Sequence, residues 1–192
     1  AYKVFGLTDK TINLPQIEGQ KDLRVVLNKT EVRVLFNAAW ATLKQFSKNP
    51  EHLGADMGMI GILHTWGQNM SLHPHLHCII PGGGITKQGK WKQAKNKGKY
   101  LFNVQTMSPV FKAKFVAELR QRKLNIPQTA YDKVFKKDWV VYAKPAFGTA
   151  KSIVEYLGRY THKIATSNHR ILSVNEDTKK VVFSLKDYRK SG

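Results

Sequence analysis

Acidic residues are scarce in this chain. Asp and Glu number 13 against 32 Lys and Arg, a formal charge of +19 over 192 residues. Solubility needs far less, so a polyanion is the expected partner, nucleic acid ahead of an anionic membrane surface. Long apolar runs are missing too: none approaches the roughly 20 residues that span a bilayer, and no signal-like segment opens the chain. The expectation is a soluble, cytoplasmic protein with no membrane partner. Cysteine is reduced to Cys78, which excludes an internal disulfide and fits a reducing compartment. Repeats and long linkers are lacking as well, while 42% hydrophobic residues suffice for a core. Residues 1–192 are therefore expected to form a single domain, and its ends at Ala1 and Gly192 are read as marks of a fragment excised from a longer protein.

Periodicity and punctuation give the elements. Lys3 to Thr8 reads as a first strand. Thr30 is placed to cap a helix whose apolar positions Val32, Leu35, Phe36, Ala39, Trp40, Leu43 and Phe46 follow the helical period. Met57 to Trp66 and His75 to Ile80 read as antiparallel strands joined by a polar turn near Asn69 and Met70, and "PGGG" at Pro81 to Gly84 is the strongest break. Lys99 to Val104 is expected to be a strand. A helix should follow from Ser108, with Pro109 in its first turn, to about Arg122. Trp139 to Ala143 is strand-like, Thr149 can cap a helix over Ala150 to Lys163, and Lys180 to Leu185 resembles an edge strand. The order predicts an α+β sandwich, an antiparallel sheet with helices packed against it.

The stretch "LHTWGQNMSLHPHLHCII", Leu63 to Ile80, concentrates imidazoles on the predicted hairpin. Side chains alternate along a strand, so His75 and His77 share a face while Leu76 points to the other. A turn near Asn69 brings His64 across from them as a third nitrogen, with Gln68 and His73 as weaker alternatives for that position. Three ligands on a hairpin leave coordination positions open, as catalytic sites do. A hydrogen-bonded core histidine and a chance H-x-H are the plain alternatives.

The helix "TAKSIVEYLGRYTHKIA" sets Tyr156 and Tyr160 about 40° apart around its axis, on nearly one face, with Lys163 close by. Ile153, Tyr156, Leu157 and Tyr160 would equally serve as an ordinary apolar stripe. Near this helix Arg159, Lys163, His162, His169 and Arg170 are placed for nucleic-acid contacts. In "TKQGKWKQAKNKGKY", Thr86 to Tyr100, six lysines alternate with Trp91 and Tyr100. There Lys95, Lys97 and Lys99 share a face in extended chain and the aromatics can stack on unpaired bases, although a solvated lysine-rich hairpin has the same composition.

"HPHLH", "PGGG" and "YLGRYTHK", with "NAAWATL", "HLGADMG" and "SNHRI" around them, closely resemble the two-tyrosine rolling-circle transposases of bacterial insertion sequences, members of the HUH endonuclease superfamily. The resemblance spans most of the chain. It implies an HUH nuclease-like, ferredoxin- or RRM-related sandwich in which His75 and His77 bind a divalent metal, Mg2+ or Mn2+, with other metals accepted in vitro. It also implies that Tyr156 and Tyr160 are nucleophiles toward single-stranded DNA at transposon ends and targets, forming a 5′-phosphotyrosine link and freeing a 3′-hydroxyl. The spacing of His64 resembles the three-histidine site of relaxases, whereas replication initiators place an acidic residue nearer Gln68; His64 is the expected third ligand. The bacterial nucleoid is the implied place of action. A relaxase, a rolling-circle initiator and a non-catalytic DNA-binding module are the alternatives. Relatives usually carry a cysteine-rich zinc segment ahead of this region, and with Cys78 alone, part of the DNA targeting is expected to lie elsewhere.

Overall fold

A computed structural model describes residues 2–6, 29–66, 72–95, 101–122, 126–136, 139, 141–143, 149–161 and 168–184. Strand β1 (Tyr2–Gly6) precedes helix α1 (Lys29–Lys48), and β2 (Ile60–Trp66) pairs with β3 (Leu72–Pro81). Short strands β4 (Gly83–Ile85) and β5 (Trp91–Gln93) follow, then helices α2 (Val104–Gln121) and α3 (Gln128–Lys136). The chain continues through β6 (Tyr142–Ala143), α4 (Ala150–Thr161), a 3₁₀ turn at Asn168–Arg170, β7 (Ile171–Asn175) and β8 (Lys180–Phe183). The main sheet has the order β2-β3-β1-β6, while β4-β5 and β7-β8 form separate two-stranded sheets. Each described pairing is antiparallel. The architecture is α+β, as the sequence predicts. Among the described residues no helix is long and apolar enough to cross a membrane.

The pleat sorts β3 into two faces. Leu76, Cys78 and Ile80 enter the main core with Leu35, Ala38, Leu43 and Phe46 of α1 and Met107, Phe111 and Val116 of α2. Ile79, between them in sequence, turns the other way and packs with Tyr156, Ile153 and Leu157 of α4. Helices thus cover the sheet from both sides, and the larger core lies under α1 and α2. Fully burying a side chain such as Phe102, 2% exposed, contributes roughly 1.5–3 kcal/mol.

Several sequence expectations need correction. Helix α1 already includes Lys29 and Thr30, so Thr30 lies inside it and does not cap it. Its buried stripe also takes in Val34, Ala38, Thr42 and Ser47, because the two hydroxyls bond carbonyls of their own helix, Thr42 to Ala38 at 2.7 Å and Ser47 to Lys44 at 3.1 Å. The described part of the expected strand at Lys99 to Val104 is not one: Leu101 and Phe102 are buried without strand pairing and Val104 opens α2. Asn103 caps α2 by accepting from the Gln105 N–H at 2.8 Å. Pro109 therefore sits inside the helix rather than in its first turn, and Ser108 donates instead to the Trp139 carbonyl. Among the described residues of Trp139 to Ala143, Tyr142–Ala143 pair and Trp139 and Val141 do not. Helix α3 and strands β4, β5 and β7 are additions to the predicted set. Thr149 does cap α4, accepting from the Ser152 N–H at 3.2 Å. The expected turn at Asn69 and Met70, and Thr8, Lys99, Lys163 and Leu185, lie outside the described residues.

The "PGGG" break marks close backbone approach. A Cβ on Gly83 would strike the Lys92 carbonyl and the Trp91 ring, and one on Gly84 would lie 2.5 Å from the Asp56 carbonyl oxygen. There Asp56 and Ile85 exchange backbone hydrogen bonds of 2.8 and 2.7 Å. Gly84→Ala is expected to part these backbones and lower stability by about 1–3 kcal/mol in chemical denaturation. Cys78, 1% exposed, has its thiol pushed up to about 12 by burial. Because the folded value lies above the ordinary 9.0, the stabilisation is complete below pH 9 and is lost as pH rises from there toward 12. At pH 8 iodoacetamide should spare Cys78 in the native chain and label it in denaturant, and the thermal midpoint should fall above pH 9.

Candidate metal and tyrosine site

The register of β2 on β3 assembles the site. His64 stands opposite His75 and Ile62 opposite His77, so the pleat aims His64, His75 and His77 at the face covered by α4. Their ring centroids are 5.3 Å apart for His64 and His75, 4.5 Å for His64 and His77, and 4.8 Å for His75 and His77. One nitrogen from each ring lies within 4.8 Å of the others, and all three residues are half-buried. Metal–imidazole bonds of about 2.1 Å set ligand nitrogens at most about 4.2 Å apart, a contraction that small ring rotations supply. The donor set fits a divalent cation. It contains only imidazole nitrogen, because no Asp, Glu or Cys joins the cluster among the described residues.

Tyr156 reaches the same place from α4. Its hydroxyl oxygen is 2.9 Å from Nδ1 of His77, and the tyrosine is 5% exposed. The Thr149 cap fixes where α4 starts, and Ile153, Tyr156 and Leu157 share the face that meets Ile79. A phenol thus stands directly against a candidate metal ligand. Sequence reasoning anticipates that tyrosine and histidines meet, but not this bond, which joins residues 79 apart in the chain and has no local signal.

The other candidate residues are placed as follows. Tyr160 and Arg159 lie on α4, in the turn after Tyr156. Gln68, Lys97, Lys163 and His162 lie outside the described residues. Arg170 donates through Nε to the Ser184 carbonyl at 2.8 Å, tying the turn before β7 to the end of β8, while His169 beside it is exposed. Trp91 is 53% exposed and donates its indole N–H to Gln93 at 3.1 Å. Lys95 reaches the Glu51 carbonyl at 3.4 Å. In the chain this lysine segment follows the end of β3, whereas the histidines lie nearer that strand's start.

An imidazole triad on adjacent antiparallel strands, faced by a helix-borne tyrosine, defines a site suited to binding a divalent cation beside a phenol. The model of the Y2_Tnp family, described as "Putative transposase", matches residues 58–192, and the chain belongs to this transposase family. Putative transposase y4qJ of Sinorhizobium fredii is 38% identical over 173 residues, covering 81% of this chain and 42% of the relative. The transposase for insertion sequence element IS801 of Pseudomonas savastanoi pv. phaseolicola is 26% identical over 134 residues, covering 62% of this chain and 31% of the relative. The chain thus spans less than half the length of these curated relatives. Among solved structures it is similar to TrwC complexed with a 27-mer DNA comprising the recognition hairpin and the cleavage site. That match has a TM-score of 0.40 and 12% identity, covering 87% of this chain and 64% of the other.

Calorimetric titration with Mn2+ is expected to show one site per chain. Replacing His75 or His77 with alanine should weaken it by at least about tenfold, since each removes one of few ligands, while circular dichroism stays unchanged because the rings are only half-buried.

Proposed function

We propose that this domain is the metal-dependent single-stranded DNA endonuclease and strand transferase of a rolling-circle transposase. His64, His75 and His77 hold Mg2+ or Mn2+, and Tyr156 and Tyr160 are the nucleophiles. The observation that carries the reading is the 2.9 Å contact between the Tyr156 oxygen and a ring of the triad. A divalent cation there would polarise a non-bridging phosphate oxygen. Imidazole favours zinc, nickel or manganese on affinity, and magnesium prefers oxygen; magnesium or manganese is the family's implied choice.

The chain's own residues supply the rest. A phenol with a pKa near 10 is about one part in a thousand phenolate at pH 7, a cost of roughly 4 kcal/mol. Holding Tyr156 in a packed helix face offsets that cost by orientation. Its oxygen forms a bond to phosphorus as the bond from phosphorus to O3′ breaks. The phenol proton is released and the leaving oxygen ends protonated, giving a 5′-phosphotyrosine and a free 3′-hydroxyl. The reverse attack by a 3′-hydroxyl re-forms a phosphodiester with no nucleotide cofactor. A second tyrosine lets one cut end stay attached while another strand is cut, which suits transposon ends followed by target. Trp91, Lys95 and Lys97 at the lysine hairpin, with Arg159, Lys163 and Arg170 near the tyrosine helix, would hold single strands by stacking and phosphate contacts. The bacterial cytoplasm, at the nucleoid, is the corresponding setting.

Incubating the chain with end-labelled single-stranded DNA and Mn2+ should yield a covalent adduct on a denaturing gel. The double replacement Tyr156→Phe and Tyr160→Phe should abolish the adduct and keep DNA affinity within about threefold. Adducts that persist in the double variant would refute the assignment.

A further inference from the structure

We infer that Tyr156 fixes which nitrogen of His77 faces the metal site, and that filling the site reverses the hydrogen bond between the two residues. The inference rests on the metal role proposed above. A neutral imidazole carries one N–H and one lone pair, and the partner of one nitrogen dictates the state of the other. The Tyr156 oxygen lies 2.9 Å from Nδ1 of His77, so a cation among the three imidazoles would take the ring's other nitrogen, Nε2. A ligating nitrogen spends its lone pair on the metal and carries no hydrogen. The ring proton then belongs on Nδ1, so His77 donates and the phenol oxygen accepts. The phenol's own hydrogen must point elsewhere, into the site. Without a cation the opposite arrangement is open: Tyr156 donates to Nδ1 and Nε2 carries the hydrogen.

Packing keeps the bond in being. Tyr156 is 5% exposed and its ring is held among Ile79, Ile153 and Leu157, so the hydroxyl has little room to leave His77. Occupancy of the triad and the direction of the Tyr156 hydroxyl are therefore linked, and linkage is reciprocal. A hydroxyl that accepts from Nδ1–H stabilises the ligating form of His77, as hydrogen-bond partners of metal-bound histidines do. Tyr156 is a positioning residue for the metal as well as a nucleophile, and a cation presents its oxygen with the hydrogen already turned away from His77.

Two measurements test this. In the chain with 15N-labelled histidine, Zn2+ alone should move the ring proton of His77 from Nε2 to Nδ1 and make Nε2 the metal-bound nitrogen; a His77 already protonated at Nδ1 before Zn2+ is added would overturn the reversal. By titration with Mn2+ alone, Tyr156→Phe should lower affinity about tenfold, while Tyr142→Phe, at a 46% exposed tyrosine on β6, should not change it. Ligation through Nδ1, or parental affinity in Tyr156→Phe, would overturn the inference while leaving the metal site in place. If Zn2+ perturbs none of His64, His75 and His77, the metal reading falls and this inference with it. The nitrogen measurement is made on the parent chain, so it decides the matter even where the phenylalanine variant folds poorly.

Discussion

The register between β2 and β3 is the constraint on which the site depends. Pairing Ile60 with Ile79, Ile62 with His77 and His64 with His75 sends one alternate set of side chains to α4 and the other to the main core. A slip of one residue on β3 would exchange the sets, driving His75 and His77 under α1 and α2 and expelling Leu76, Cys78 and Ile80. Each expelled aliphatic would forfeit roughly 1.5–3 kcal/mol, so the hydrophobic core enforces the imidazole geometry without touching it. Gly61 reinforces the arrangement: a Cβ there would lie 2.8 Å from the Phe36 ring, so α1 can close down on β2. The pairing changes register between His64 and Trp66. Such irregularities re-aim side chains and twist strands locally, and this one falls beside the imidazole triad.

The two faces of the sheet carry unequal loads. Under α1 and α2 lies an extensive apolar cluster running from Leu35 to Trp139. Under α4, the buried residues among those described are Ile79 and Tyr156, with Ile153 and Leu157 partly buried against them. Among the described residues most of the apolar burial lies on the first face, while the second keeps three imidazoles half-buried. A polar cluster embedded in the larger core would suffer a desolvation penalty and exclude a bulky anion. On the thinly covered face it stands on a rigid floor and remains reachable.

What was legible in the sequence follows from how local each signal is. The alternation in "HPHLH" and the helical spacing of Tyr156 and Tyr160 are period effects, and the histidine hairpin and α4 formed as those periods predict. Pro109 misled because proline favours a first turn, whereas Asn103 provides a working cap well before it and packing of Met107 and Phe111 carries the helix through. Thr42 and Ser47 were invisible as core residues because only the folded helix shows their hydroxyls satisfied internally. Leu101 and Phe102 read as strand because apolar residues in a short run cannot report whether a neighbour pairs with them. The bond from Tyr156 to His77 depends on how α4 docks, a tertiary fact.

Among the described residues the cluster against Tyr156 is built of three imidazoles, whereas Lys87, Lys90, Lys92 and Lys95 belong to the β4-β5 region and its approaches. Under the proposed function, lysines raise the local concentration of DNA through counterion release but do not themselves stabilise the reacting phosphate. Orientation carries the larger burden there: well-oriented neighbouring groups are worth about 7–11 kcal/mol, against roughly 4 kcal/mol to ionise a phenol at pH 7. On that reading, a buried tyrosine whose oxygen lies 2.9 Å from a ring of the triad answers the harder part of the problem by geometry. The hydroxyl's acidity is secondary, and the helix that bears it must dock in one place for the chemistry to work.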